Sequence, residues 1–180
     1  MIAQRAVYEA GGGKFVIHGR PKEIMPGVWV TGQVPRPHPE RNYPRSGRVR
    51  TPQGMVEDSI PEDLSLIIDT PEGLVVITGC GHAGVINTLE HARKSVRPAP
   101  AHAVIGGIHL FRASDEELEW TAGKLKEFGL AHLLGAHCTG IEAVFRIRER
   151  AGLTRKTAVV GAIGSSFWPY HARMHGPWPI

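Results

Sequence analysis

From residue 61 onward, apolar and polar positions follow clear secondary-structure periods. Leu64 to Asp69 and Leu74 to Thr78 are short β-branched, apolar runs, and the intervening Thr70-Pro71-Glu72-Gly73 has the Pro and Gly of a reversing turn, so the pair predicts a β-hairpin. Val85, Leu89, Ala92 and Val96 then recur at helical spacing, with Glu90 four residues ahead of Lys94, until Pro98 and Pro100 end the helix. Ala103 to Gly107 predicts a buried strand. Ser114 and Glu117 form a capping-box signature ahead of a helix lined by Leu118, Thr121, Leu125 and Phe128, which stops at Gly129. Leu130 to Gly135 is a further strand. Thr139 with Glu142 repeats the capping-box spacing before Val144, Ile147 and Ala151, closed by Gly152, and Thr157 to Ile163 is the last strand. Strand, strand, helix, strand, helix, strand, helix, strand is the order of an α/β sheet covered by helices.

The first 60 residues are less periodic. Phe15 to His18 and Val28 to Thr31 suggest short strands, and Gly11-Gly12-Gly13 suggests a break. Arg36, Arg41, Arg45, Arg48 and Arg50 alternate with Pro35, Pro37, Pro39 and Pro44, which argues for a long basic loop. The aromatic, Pro-rich tail shows no period. A length of 180 residues fits one domain spanning 1–180. In it, 1–60 is an irregular basic segment with short strands, 61–166 a sheet with three helices, and 167–180 an irregular tail.

Composition excludes several classes. Apolar residues make up 42% of the chain, enough for a core, and no apolar run approaches the roughly 18 residues of a membrane span, so a cytoplasmic protein is expected. Two cysteines cannot build a secreted disulfide framework. The net charge of +4 arises in the first third of the sequence, and its Arg-rich loop could meet nucleic-acid phosphates. Tyr43 is that loop's only aromatic, so the stacking platform of single-strand binders is missing, and a flap or lid over an anionic small substrate, with Arg36 as a contact, is the preferred reading.

The placement of the histidines is the most informative feature. Gly79-Cys80-Gly81-His82-Ala83-Gly84, Gly106-Gly107-Ile108-His109 and Gly135-Ala136-His137-Cys138-Thr139-Gly140 each follow a predicted strand, at about one strand-helix unit of roughly 30 residues apart. Parallel strands would bring the three loops to one sheet edge, where open α/β sheets bind ligands. Thiolate and imidazole are good zinc ligands, so Cys80, His82, His109 and His137 are candidates for one site. Taken singly, each histidine could equally cap a strand end, and it is their convergence that favours a ligand set. Cys138 reads as a buried structural thiol, since neighbours on an extended chain point apart. Ser165 and Ser166, near Gly161 and Gly164, could hydrogen-bond a phosphate or form an ordinary turn.

The stretch Val75 to Thr88, with Ile105-Gly106-Gly107-Ile108-His109-Leu110, His137-Cys138-Thr139-Gly140 and Pro26 to Arg36, resembles the metallo-β-lactamase-fold superfamily. Within it the chain is most similar to the 7,8-dihydropterin-6-methyl-4-(β-D-ribofuranosyl)-aminobenzene-5'-phosphate synthase-like branch. The resemblance implies an αββα sandwich with one or two divalent metals, zinc before Mg or Mn, activating water at the sheet edge. It also implies that Cys80 and His137 ligate metal, that His82 is a metal ligand or a catalytic proton shuttle, and that His109 serves catalysis by positioning a small anionic or phosphorylated substrate, for which Ser165, Ser166 and Arg36 are the further candidate contacts read from the residues themselves. The superfamily's His-x-His-x-Asp-His string occurs nowhere in the sequence, so the chain looks like the C-terminal portion of the fold. An open sheet face would then call for a homo-oligomer or a complementary N-terminal half, because exposed apolar area costs about 25 cal/mol per Å². The expected function is a metal-dependent hydrolase or transferase. The alternative is a non-catalytic binding module that retains the fold.

Overall fold

The hydrophobic periods are realised as one mixed sheet with helices on one of its faces, in a computed structural model that describes residues 2–168 and 173–175. Helix α1 (Ile2–Ala10) precedes β1 (Lys22–Met25) and β2 (Val28–Val30). The hairpin of β3 (Arg48–Thr51) and β4 (Gly54–Glu57) forms a separate two-stranded sheet. There follow β5 (Ser65–Thr70), β6 (Gly73–Thr78), α2 (Val85–Ser95), β7 (Ala101–Gly106), α3 (Asp115–Glu127), β8 (His132–Gly135), α4 (Ile141–Arg150) and β9 (Ala158–Val160). Last, β10 (Ser166–Trp168) pairs antiparallel with β11 (Arg173–His175). The main sheet runs β1-β2-β5-β6-β7-β8-β9. Its first four strands are antiparallel neighbours and β6 to β9 are parallel.

Register explains the core. Ile67, Val76, Val104, Leu133 and Ala158 lie opposite one another across five strands, and each is fully buried. They pack with Ile86 and Leu89 of α2, Leu125 of α3, and Val144 and Ile147 of α4 in a single cluster. The neighbouring row, Leu66, Ile77, Ile105, Leu134 and Val159, points to the other face because side chains alternate along a strand. Four of these five are only half-buried. Ser114 and Glu117 make the expected reciprocal capping box at α3.

Several expectations are corrected. Thr139 does not cap α4: Gly140 does, and Thr139 closes a short 3-10 turn, its hydroxyl donating to the Gly106 carbonyl and accepting from the Ile108 N–H. Phe15 to His18 is not a strand. The helix α1, the strand β1 and the β3–β4 hairpin stand where only irregular chain was expected, and the tail's first residues pair as β10 and β11; Tyr170 and Trp178 of that tail lie outside the described residues. The start of the basic segment is not a free flap. The His38 N–H donates to Asn87 Oδ1 at 2.9 Å, its ring pairs with Glu90, and Glu40 caps α2 through the Ile86 and Asn87 N–H groups at 3.1 and 2.8 Å.

Candidate metal centre and adjoining basic cavity

Close backbone approach draws the three strand-end loops together. The Gly107 N–H donates to the Gly79 carbonyl at 3.0 Å, and the Ala136 N–H to the Gly106 carbonyl at 2.8 Å. The Thr78 hydroxyl donates to the Gly107 carbonyl at 2.7 Å. Gly106 has φ 120° and Gly81 has φ 67°; a Cβ on Gly81 would sit 2.7 Å from the Gly107 carbonyl, so this crossing excludes any larger residue. The Asp63 carboxylate accepts from the Ala83 N–H at 2.9 Å and fixes the first loop from outside.

Five side chains meet where these loops cross. Cys80 Sγ lies 3.1 Å from His137 Nε2, and the Cys138 thiol donates to the Cys80 carbonyl at 3.4 Å. The Cys80, His137 and Cys138 donor atoms all fall within 4.8 Å of one another. Cys138 joins the cluster because His137 to Thr139 turn as a 3-10 helix, in which neighbouring side chains stand about 120° apart and not on opposite sides as in an extended chain. Burial pushes the Cys138 thiol up to about 11, against the opposing pull of the His109 backbone N–H.

The histidine pair beside it is set by two different constraints. His82 Nδ1 lies 2.7 Å from the Asn42 carbonyl, which can only accept, so Nδ1 carries a proton. Asn42 itself is held by its side-chain amide donating to the Ile108 carbonyl at 3.1 Å. The His109 ring is 4.4 Å from that of His82 and 5.1 Å from Phe111. Its backbone sits at φ 48°, a left-handed conformation uncommon for a residue with a side chain, and its Nδ1 is buried without a partner. Burial holds its imidazole below the usual histidine range, helped by His82, His137 and Arg112 and opposed by Asp63.

A cavity of about 840 Å³ opens on the outer side of His109, between Arg41 to Ser46 and Phe111 to Glu117. The structure therefore brings together four of the residues singled out from the sequence, Cys80, His82, His109 and His137, and leaves three apart. Arg36 donates to the Ser59 and Ile60 carbonyls at 2.6 and 3.1 Å and lies over the Tyr43 ring, so it braces the loop and does not line the cavity. Ser165 accepts from the Ala162 N–H at 3.1 Å in an ordinary turn, and Ser166 is in β10; neither borders the cavity. The sequence reading missed Cys138 as a donor, Asn42 as the orienting group and Arg112 as a cavity residue. Only Cys138, adjacent to His137, carried a local signal.

The donor set suits a divalent metal of the zinc type, since soft thiolate and imidazole converge and no competing carboxylate enters the cluster among the described residues.

No family description matches the chain. It is 31% identical over 136 residues to the 7,8-dihydropterin-6-methyl-4-(β-D-ribofuranosyl)-aminobenzene-5'-phosphate synthase of Methanocaldococcus jannaschii, covering 73% of the chain and 46% of that protein. It is 30% identical over 130 residues to an uncharacterized protein of the same organism, covering 72% and 46%. The crystal structure of a metal-dependent hydrolase of the β-lactamase superfamily superposes with a TM-score of 0.63 at 33% identity, over 77% of the chain and 52% of that structure. The chain thus spans about half the length of the relatives it matches.

Proposed function

The chain shares the metallo-β-lactamase fold and is a relative of its dihydropterin-synthase-like branch, and on that footing we propose that it is the metal-binding half of a hydrolase or transferase acting on a small phosphorylated substrate. The observation that carries this reading is the meeting of Cys80, His137 and Cys138 within 4.8 Å of one another. Cys80, His137 and Cys138 would hold the ion, zinc by donor chemistry, with Mg or Mn as harder alternatives, and His82, which lies outside that donor group, is the further candidate ligand that the sequence suggested. A bound ion supplies Lewis acidity to a phosphoryl group. His109, kept neutral by burial, is placed to accept or return a proton at the cavity side of the cluster.

No helix among the described residues is long and apolar enough to cross a membrane, and a cytoplasmic setting is part of this proposal. The half-buried row of Leu66, Ile77, Ile105 and Val159 supports a second sheet as partner, from a second copy or a complementary half that would also bring further histidines. The second reading, a metal- and phosphate-binding module without turnover, is favoured by one fact: the sequence has no His-x-His-x-Asp-His string. Nucleic-acid binding loses ground, because Arg41 is paired with Glu57 and Arg48 is spent on the Arg45 and Gly47 carbonyls.

Zinc titration of the purified chain by calorimetry tests the proposal. Stoichiometric binding that is abolished in both Cys80→Ala and His137→Ala supports it. Binding that survives both substitutions places the metal elsewhere and defeats it. Phosphomonoesterase turnover, present or absent in the zinc-loaded chain mixed with a complementary half, separates enzyme from binding module.

A further inference from the structure

We propose that the cavity beside His109 is an anion subsite that takes the phosphate of a phosphomonoester, with Arg45 and Arg112 as its paired donors. The inference rests on the reading of the adjoining Cys80–His137 cluster as the reacting centre, which it supplies with a substrate orientation. At about 840 Å³ the cavity lies within the range of small-molecule sites, roughly 300 to 1,000 Å³, so it can hold the body of a ligand as well as its phosphate.

Charge decides the class of ligand. The cavity is lined by three guanidiniums, those of Arg41, Arg45 and Arg112, against the single carboxylate of Glu117. Not all of this charge is free. Arg41 is held by Glu57 at 2.5 Å. Glu117 is turned to helix capping: one of its oxygens accepts from the Ser114 N–H at 2.8 Å, while the other meets Arg45 only at 3.4 Å, between side chains that are 67% and 51% exposed. Arg112 has no carboxylate partner among the described residues. It leans on the Phe111 ring, 5.2 Å from its centroid, and its charge is felt at His109. Arg45 enters from the basic segment and Arg112 from the loop before α3, so each of the two lining segments supplies a guanidinium. Two planar guanidiniums suit the several oxygens of a phosphate dianion better than they suit a single carboxylate.

His109 gives the cavity its direction. Its left-handed backbone and its buried, unpartnered Nδ1 show a ring held between the cavity on one side and His82 on the other. A phosphate resting on Arg45 and Arg112 therefore presents the rest of its molecule to the histidine pair and, beyond it, to the thiol cluster. Arg36, Ser165 and Ser166 are not assigned as anion donors because none of them lines the cavity.

The test uses the full chain freed of metal with a chelator, inorganic phosphate and phenyl phosphate as probes, and calorimetry at low salt. Both probes are expected to bind, with Arg45→Ala and Arg112→Ala each weakening binding about tenfold, Arg112→Lys falling between, and the exposed Arg155→Ala leaving it unchanged. Unchanged phosphate binding in Arg45→Ala and Arg112→Ala would overturn the assignment, as would binding no tighter than that of chloride. Phosphate that binds only after zinc is restored, and is lost in Cys80→Ala, would sit on the metal and also overturn it. Retained Arg-dependent binding in a chain that takes up no zinc would instead leave the anion subsite standing and remove the metal centre. Both arginines are exposed, so circular dichroism should show the variants folded.

Discussion

Glu40 is the most consequential buried acid in the structure, and replacing it by glutamine isolates what its charge does. Its residue is only 7% exposed, yet its two carboxyl oxygens serve as the N-terminal cap of α2, whose own cap position, Gly84, has no side chain to offer. Two effects oppose each other. Burial raises the carboxyl from 4.5 to about 7, and the Asn87, Ile86 and Val85 N–H groups together with His38 pull it down without cancelling the shift. The folded chain therefore holds a proton that the unfolded chain has released between these two values. The stability this contributes is full below about 4.5 and is lost as pH rises through about 7. A shift from 4.5 to about 7, at about 1.4 kcal/mol per pH unit, corresponds to about 3 kcal/mol. Glutamine keeps the shape and one carbonyl acceptor and cannot ionise. Urea unfolding of the wild type and Glu40→Gln at pH 5 and pH 8 should then show a variant weaker by about 1 to 3 kcal/mol at pH 5, where one N–H has lost its acceptor, and a change of up to about 3 kcal/mol in the variant's favour on going to pH 8. A Gln variant that becomes progressively weaker than wild type as pH rises would refute the reasoning, because it would mean that the helix donors outweigh desolvation. As a control, Glu40→Ala strips both acceptors from N–H groups of fully buried residues and should cost about 2 to 6 kcal/mol at pH 5, a cost reduced at pH 8 by the same amount of up to about 3 kcal/mol because alanine does not ionise either.

Four further outcomes are expected. Ser114→Ala breaks the reciprocal cap of α3 and should lower stability by about 1 kcal/mol in chemical denaturation. Gly106→Ala places a Cβ 2.7 Å from Thr78 Oγ1 at a φ of 120°, so it should weaken zinc uptake and cost about 1 to 3 kcal/mol or more by the same measurement. His132, buried beside His102 with an unpartnered Nδ1, titrates below its ordinary value because burial disfavours its charge. Its contribution should fade as pH falls below about 6.5, a dependence absent from His132→Gln. Ile77→Lys, on the half-buried sheet face, should reduce any self-association seen by light scattering while leaving α-helical content unchanged.

Much of the sheet was legible because its local signals agree with its tertiary role. The row of Ile67, Val76, Val104, Leu133 and Ala158 reads as buried strands in sequence and is the floor under all three core helices in space. Where local and global signals part, the reading failed. Thr139 and Glu142 have the spacing of a capping box, but Thr139 is drawn into the strand-end loops by Gly106 and Ile108, two partners more than thirty residues upstream. The β3–β4 hairpin is a different kind of failure. Thr51-Pro52-Gln53-Gly54 repeats the pattern of Thr70-Pro71-Glu72-Gly73, and in both turns the threonine hydroxyl donates to the glycine carbonyl, at 3.0 and 2.8 Å. The second reads as a turn because strong apolar runs flank it. The first carries no such signal, since its strands, Arg48–Thr51 and Gly54–Glu57, are short, almost wholly exposed and rich in charge.

The candidate site shows the same division more sharply. That Cys80, His82, His109 and His137 would converge follows from strand order alone: β6, β7 and β8 are parallel neighbours, so whatever follows their ends must meet. What strand order cannot supply is orientation, which here comes from contacts distant in sequence. The proton on His82 Nδ1 is assigned by a carbonyl forty residues upstream, at Asn42. That carbonyl is in place because the His38 to Asn42 segment is fastened to α2 through Asn87, Glu90 and the Glu40 cap. The basic segment, which by composition resembles a loose lid, is thus the part that aims the histidine and builds one wall of the cavity. If that fastening is real, Asn87→Ala, which removes the acceptor for the His38 N–H but touches none of the five clustered side chains, should weaken zinc and phosphate binding together. A loss confined to stability, with both affinities intact, would separate the strap from the site.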